Sequence, residues 1–86
     1  MQLTAELSLY PLSEDYITIV LAFIDRLEQC EELTIRRNAM STQISGEATQ
    51  VMQVIQAALT QSFEEFGKQV LTAKFIPGEF SLDGAE

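Results

Sequence analysis

Seven polar side chains in two short stretches are the residues of this chain best suited to meet a small molecule. Glu6, Ser8 and Tyr10 precede Pro11 in one stretch, and Asn38, Ser41, Thr42 and Gln43 lie in residues 38–47. Hydroxyls, amides and one carboxylate can orient a polar heterocycle by donating and accepting hydrogen bonds. They are poorly equipped for nucleophilic work, because the chain has no histidine to form a Ser–His or Cys–His pair. No group of side chains has the spacing of metal ligands. A lone strand carboxylate such as Glu6 is more often a hydrogen-bond partner than a general base. The expectation is a ligand-binding site with no catalytic residue, no metal and no cofactor.

The elements that carry these residues follow from periodicity. Leu3, Ala5, Leu7 and Leu9 alternate with Thr4, Glu6, Ser8 and Tyr10, the period of a half-buried strand, and Pro11 ends it. Ser13 is a candidate N-cap for a helix whose core stripe is expected to be Ile17, Val20, Leu21, Ile24 and Leu27, widened or flanked by Ile19 and Phe23. Residues 33–38 and 40–45 read as a hairpin. Gly46 and Glu47 open a second helix, with Val51, Met52, Ile55, Ala58, Leu59, Phe63 and Phe66 on its buried face. Gly67 stops that helix, and residues 69–76 form a last strand before Pro77-Gly78. Phe63, Phe66 and Phe75 are expected in the core.

The order βαββαβ predicts an α+β, ferredoxin-like sandwich: one antiparallel four-stranded sheet with two helices on one face. It assigns residues 1–78 to a single domain and residues 79–86 to a C-terminal tail. In that topology the first and third strands are central, so Glu6, Ser8 and Tyr10 share the open face with Ser41, Gln43 and Ser45. A solvated sheet face usually carries Lys, Glu and Arg instead. Two readings of this face stay open, a ligand platform and a homo-oligomeric sheet-on-sheet interface, and a pocket can form where two sheets meet. Ser41 and Thr42 point to opposite sides of an ideal strand. A bulge is therefore needed if both touch one ligand, and without one Ser41 is the residue to keep.

Charge and size narrow the partners. Thirteen acidic against five basic residues give a net charge of −8, which repels nucleic acid and anionic membrane. Arg36 and Arg37 point to opposite faces of a strand and suit a protected edge better than a phosphate clamp. Cys30, the single cysteine, lies among Glu28, Glu31 and Glu32, a setting that blunts nucleophilic reactivity. The N-terminus lacks a signal-peptide pattern and the longest apolar run, residues 19–24, is too short to span a bilayer, so a cytoplasmic protein is expected. An 86-residue chain encloses one small core, and association is a natural route to further stability.

Ser8-Leu9-Tyr10-Pro11-Leu12, the Asp15-Tyr16 pair that follows, and residues 38–47 with Ser41-Thr42 and Gly46 give the chain a family likeness. Over residues 3–78 it resembles the YkoF-related family of thiamine- and hydroxymethylpyrimidine-binding proteins. The resemblance implies a domain that binds the aminopyrimidine half of thiamine without transforming it, as a carrier, buffer or sensor. It implies a homodimer or homotetramer, because larger members carry two such domains in tandem and this chain has one. Glu6, Ser8, Tyr10, Asn38, Ser41, Thr42 and Gln43 are the implied ligand-binding set. The alternative is a homo-oligomeric interaction module with no small-molecule ligand.

Overall fold

The structure, a computed structural model, describes residues 1–78; the tail assigned to residues 79–86 lies outside the described residues. The elements are β1 (Gln2–Pro11), α1 (Tyr16–Glu28), β2 (Thr34–Arg37), β3 (Thr42–Glu47), α2 (Ala48–Phe66) and β4 (Gln69–Pro77). They form one antiparallel sheet of order β2-β3-β1-β4, the ferredoxin-like arrangement expected from the sequence. Odd residues of β1 (Leu3, Ala5, Leu7) join Ile44, Phe23, Leu27, Val51, Ile55 and Ala58 in a core between the sheet and both helices. The pairing of β1 with β3 runs without a bulge from Gln2↔Glu47 to Leu7↔Thr42.

Local chemistry ends each element. Ser13 does not cap α1. Its Oγ accepts the Asp15 N–H (3.2 Å) in a turn, and the helix begins only at Tyr16. Glu47 caps α2, its Oε1 accepting the Thr49 and Gln50 N–H groups (2.9 and 3.3 Å). At the other end Gly67 has φ +87° and donates its N–H to the Phe63 carbonyl. The fully buried Ser62 hydroxyl then donates to Gln69 Oε1 (2.7 Å), tying α2 to the start of β4. Gly46 sits close to the core, since a Cβ there would lie 2.3 Å from Leu33 Cδ2 and the Leu33 side chain would have to shift.

Two packing expectations are corrected. The buried stripe of α1 is Ile19, Phe23, Ile24 and Leu27, whereas Ile17 and Leu21 are exposed. Seven of the eight residues 17–24 are apolar, so two overlapping helical stripes fit the sequence, and docking against β1 and α2 selects one. On α2 the buried residues are Val51, Ile55, Ala58 and Ser62; Met52 and Phe63 are exposed, and so is Phe75 on β4. The reason is topological: β4 is an edge strand, and neither helix extends over its outer half.

Candidate functional site

A cavity of about 300 Å³ opens between the first half of α1, the end of β1 and the loop joining β2 to β3. Its floor is apolar: Leu7 and Leu9 from β1, with Val20, Phe23 and Ile24 from α1. The rest of the lining is Ser8, Tyr10, Tyr16, Asn38, Ser41 and Thr42, which are polar, with Ala39 and Met40 of the loop. An apolar floor with a few convergent polar groups is the usual composition of a small-molecule site.

The rim is held by hydrogen bonds within the loop. Asn38 Oδ1 accepts the N–H groups of Met40 (2.8 Å) and Ser41 (3.0 Å), and the Asn38 N–H donates to the Ser41 carbonyl (3.0 Å). This Asx turn occupies the amide oxygen of Asn38 and leaves its NH₂ as the group that can face a ligand. Ser8 Oγ donates to the Met40 carbonyl (3.3 Å), fastening the loop to β1. Ser41 Oγ donates to Glu6 Oε2 (3.0 Å).

Thr42 differs from these. It is 5% exposed on the helix side of β3, and no hydrogen bond to its hydroxyl occurs among the described residues. The cavity is where that hydroxyl finds open space. Tyr10 and Tyr16, both half exposed, stand at the mouth with rings that could stack on a flat ligand.

The structure thus gathers Ser8, Tyr10, Asn38, Ser41 and Thr42 around one cavity and places Glu6 and Gln43 outside its lining. Glu6 lies on the open face of the sheet. It accepts from Ser41 Oγ and Gln43 Nε2 (3.4 Å) through Oε2, while Oε1 lies 3.8 Å from Lys74 Nζ. It supports the rim from behind through Ser41. The cavity lies at the end of the sheet with Thr42 and the α1 wall on its helix side. Ser8 and Tyr10 share the open face of β1 with Glu6, as the sequence reading had placed them, and Ser41 bonds to Glu6 there. Ser41 and Thr42 reach one cavity without a bulge, because β3 starts at Thr42 and Ser41 belongs to the turn. The α1 wall, Tyr16, Val20, Phe23 and Ile24, escaped the sequence reading; the Asp15-Tyr16 pair was its one visible sign.

Among the described residues no group of His, Cys, Asp or Glu side chains could hold a metal ion, and no helix is long and apolar enough to cross a membrane. The cavity lining contains no Asp, Glu, Lys, Arg or Cys.

Comparison with known proteins follows this geometry. A structural-genomics protein of Streptococcus pneumoniae superposes with a TM-score of 0.83 at 24% identity, covering 96% of this chain and 94% of that one. A hypothetical protein of Methanocaldococcus jannaschii gives 0.79 at 19% identity, covering 98% and 88%. A Thermotoga maritima protein named as a candidate for thiamine biosynthesis or salvage gives 0.80 at 14% identity, covering 100% and 90%. At these identities the likeness is one of fold. No curated protein matches the sequence. The family model described as the YKOF-related family matches residues 2–78, nearly the whole chain, and the chain belongs to that family.

Proposed function

We propose that this protein binds the aminopyrimidine moiety of thiamine, or its free hydroxymethylpyrimidine precursor, in the cavity between α1 and the β2–β3 loop, without transforming it. The observation that carries the reading is the meeting of Ser8, Tyr10, Asn38, Ser41 and Thr42, from separate parts of the chain, around one apolar-floored cavity. The family membership and the thiamine-related description of the Thermotoga maritima protein point the same way.

The chemistry is complementary. An aminopyrimidine offers an amino donor and ring-nitrogen acceptors. The Thr42 hydroxyl can serve either kind, and the Asn38 NH₂ can donate to a ring nitrogen. Leu7, Val20, Phe23 and Ile24 suit a ring methyl group and one ring face, with Tyr10 or Tyr16 stacking at the mouth. A cavity of about 300 Å³ is at the small end of ligand sites, which favours one substituted ring over an extended cofactor. The net charge of −8 favours a neutral or cationic ligand over a diphosphate ester. With no carboxylate, thiol, ammonium or guanidinium group in the lining, the site supports holding a ligand better than acid–base or covalent chemistry on it.

Titration calorimetry and thermal shift with hydroxymethylpyrimidine, thiamine and thiamine diphosphate test the reading. Saturable binding of the first two is expected, with the diphosphate at least about tenfold weaker at low salt. Absence of both heat and thermal shift for all three at millimolar concentration would exclude the reading and leave the interaction module without a ligand.

A further inference from the structure

Met40 belongs to the cavity lining, yet its side chain stands in solvent. It is 84% exposed, more than any other large apolar residue among the described residues. Its loop neighbours Asn38, Ala39 and Ser41 are the small or polar residues that an exposed turn favours. A long thioether at this tip serves neither the turn nor the core.

The main chain of Met40 is held from both sides. Its N–H donates to Asn38 Oδ1 (2.8 Å), and its carbonyl accepts from Ser8 Oγ (3.3 Å). The Asn38 N–H closes the turn on the Ser41 carbonyl (3.0 Å), and Ser41 Oγ ties it to Glu6 on β1 (3.0 Å). These bonds fix where the Met40 side chain starts, and none of them restrains where it points. Among the described residues no hydrogen bond joins residues 38–41 to α1, so the space between the loop and the helix is free for a side chain to cross.

We propose that Met40 is the gate of this site: its side chain turns from solvent across the cavity and lies on the bound ring, while the main chain that carries it stays in place. The proposal rests on the reading of the cavity as an aminopyrimidine site and adds the residue that retains the ligand there. Leu7, Val20, Phe23 and Ile24 cover the ring from below. Tyr10 and Tyr16, each half exposed at the mouth, leave part of the upper face in water. A methionine suits that remaining face, because its side chain is unbranched and flexible and its polarisable sulfur packs well against aromatic rings. Turning inward removes apolar surface of both the side chain and the ring from water. Without a ring beneath it the side chain has less to bury, and its rotamer freedom holds it outside. The gate therefore closes on the ligand and slows its release more than its entry.

Peroxide footprinting tests the closure. Hydrogen peroxide transfers one oxygen atom to a thioether sulfur, giving the sulfoxide and water. Met52, 51% exposed on α2 and outside the cavity lining, is the internal reference, with Met1 as a second. In the free chain Met40 should oxidise at least as fast as Met52, read by peptide mass spectrometry. Saturating hydroxymethylpyrimidine should slow Met40 oxidation by about fivefold or more and leave Met52 and Met1 unchanged. Met40→Ala should weaken hydroxymethylpyrimidine binding about tenfold by calorimetry, the loss expected when a methionine side chain forfeits about half of its possible burial. Most of that loss should appear as faster dissociation in stopped-flow displacement. Met40→Leu should stay within about threefold of wild type, since it keeps an apolar cover. Both variants should unfold at the wild-type midpoint, because the side chain is exposed in the free chain.

Calorimetric binding with Met40 oxidation unslowed removes the gate and leaves the binding site standing. Wild-type affinity in Met40→Ala does the same. Equal protection of Met40 and Met52 overturns the gate as well, since it reports a change spread over the whole chain. Absence of binding to the wild-type chain removes the gate together with the ligand reading beneath it.

Discussion

Replacing Thr42 by valine should move stability and ligand affinity in opposite directions. The side chain is 5% exposed on β3, opposite Leu7 and Arg37, and its hydroxyl takes no hydrogen bond from the described residues. A buried hydroxyl without a partner costs about 1–3 kcal/mol in protein mutational data. The hydroxyl oxygen itself opens on the cavity and stays accessible to water, so the cost is smaller, below about 1 kcal/mol. Valine keeps the branched shape and suits a strand at least as well as threonine. The free variant should therefore melt above wild type, by less than about 4–8 °C. In the complex the same change leaves a ligand polar atom without its partner, at about 1–3 kcal/mol, a loss of about five-fold to a hundred-fold in affinity. Thermal unfolding without ligand, followed by calorimetric titration with hydroxymethylpyrimidine, reads both effects. A lower melting temperature would mean that the hydroxyl has a structural partner in the free protein. An unchanged affinity would remove Thr42 from the site.

Glu6→Gln should leave pyrimidine affinity within about twofold by calorimetry, because Glu6 stands outside the cavity lining and supports Ser41 through a hydrogen bond that an amide oxygen can still accept. A tenfold loss would place the carboxylate in contact with the ligand. Glu47→Ala removes the acceptor for the Thr49 and Gln50 N–H groups and should destabilise by about 1 kcal/mol in urea unfolding. Gly46→Ala sets a methyl group 2.3 Å from Leu33 Cδ2 in the core. Overpacking of about 1–3 kcal/mol should outweigh the roughly 0.4–1 kcal/mol gained from a stiffer unfolded chain, so the denaturation midpoint falls; a rise would show that Leu33 repacks freely. Val20→Phe fills the cavity from α1 and should abolish pyrimidine binding while the far-UV circular dichroism spectrum stays native.

The element order and the sheet topology were legible in the sequence because the signals for them are local. Leu3, Ala5, Leu7 and Leu9 alternate at the strand period, Pro11 and Gly67 stop their elements, and the order βαββαβ leaves few chain paths. The polar residues of 38–43 marked a candidate surface for the same reason, since their types alone limit what they can do. The cap of α1 was less legible. Ser13 looks like an N-cap but closes a turn, and Tyr16 starts the helix.

Tertiary structure decided which side of these elements faces what. The nearly continuous apolar run of α1 fits two helical stripes, and only packing against β1 and α2 buries Ile19 and Phe23 while leaving Ile17 and Leu21 exposed. Phe63 and Phe75 have core composition, yet an edge strand and a helix flank leave them on the surface. The cavity is the plainest case. Its walls come from β1, α1 and the β2–β3 loop, and no periodicity within one segment records how far apart three segments stand. Sequence alone named five of its polar residues. Helix docking walls the cavity on the helix side, where Thr42 meets it, while strand alternation keeps Ser8 and Tyr10 on the same face of β1 as Glu6.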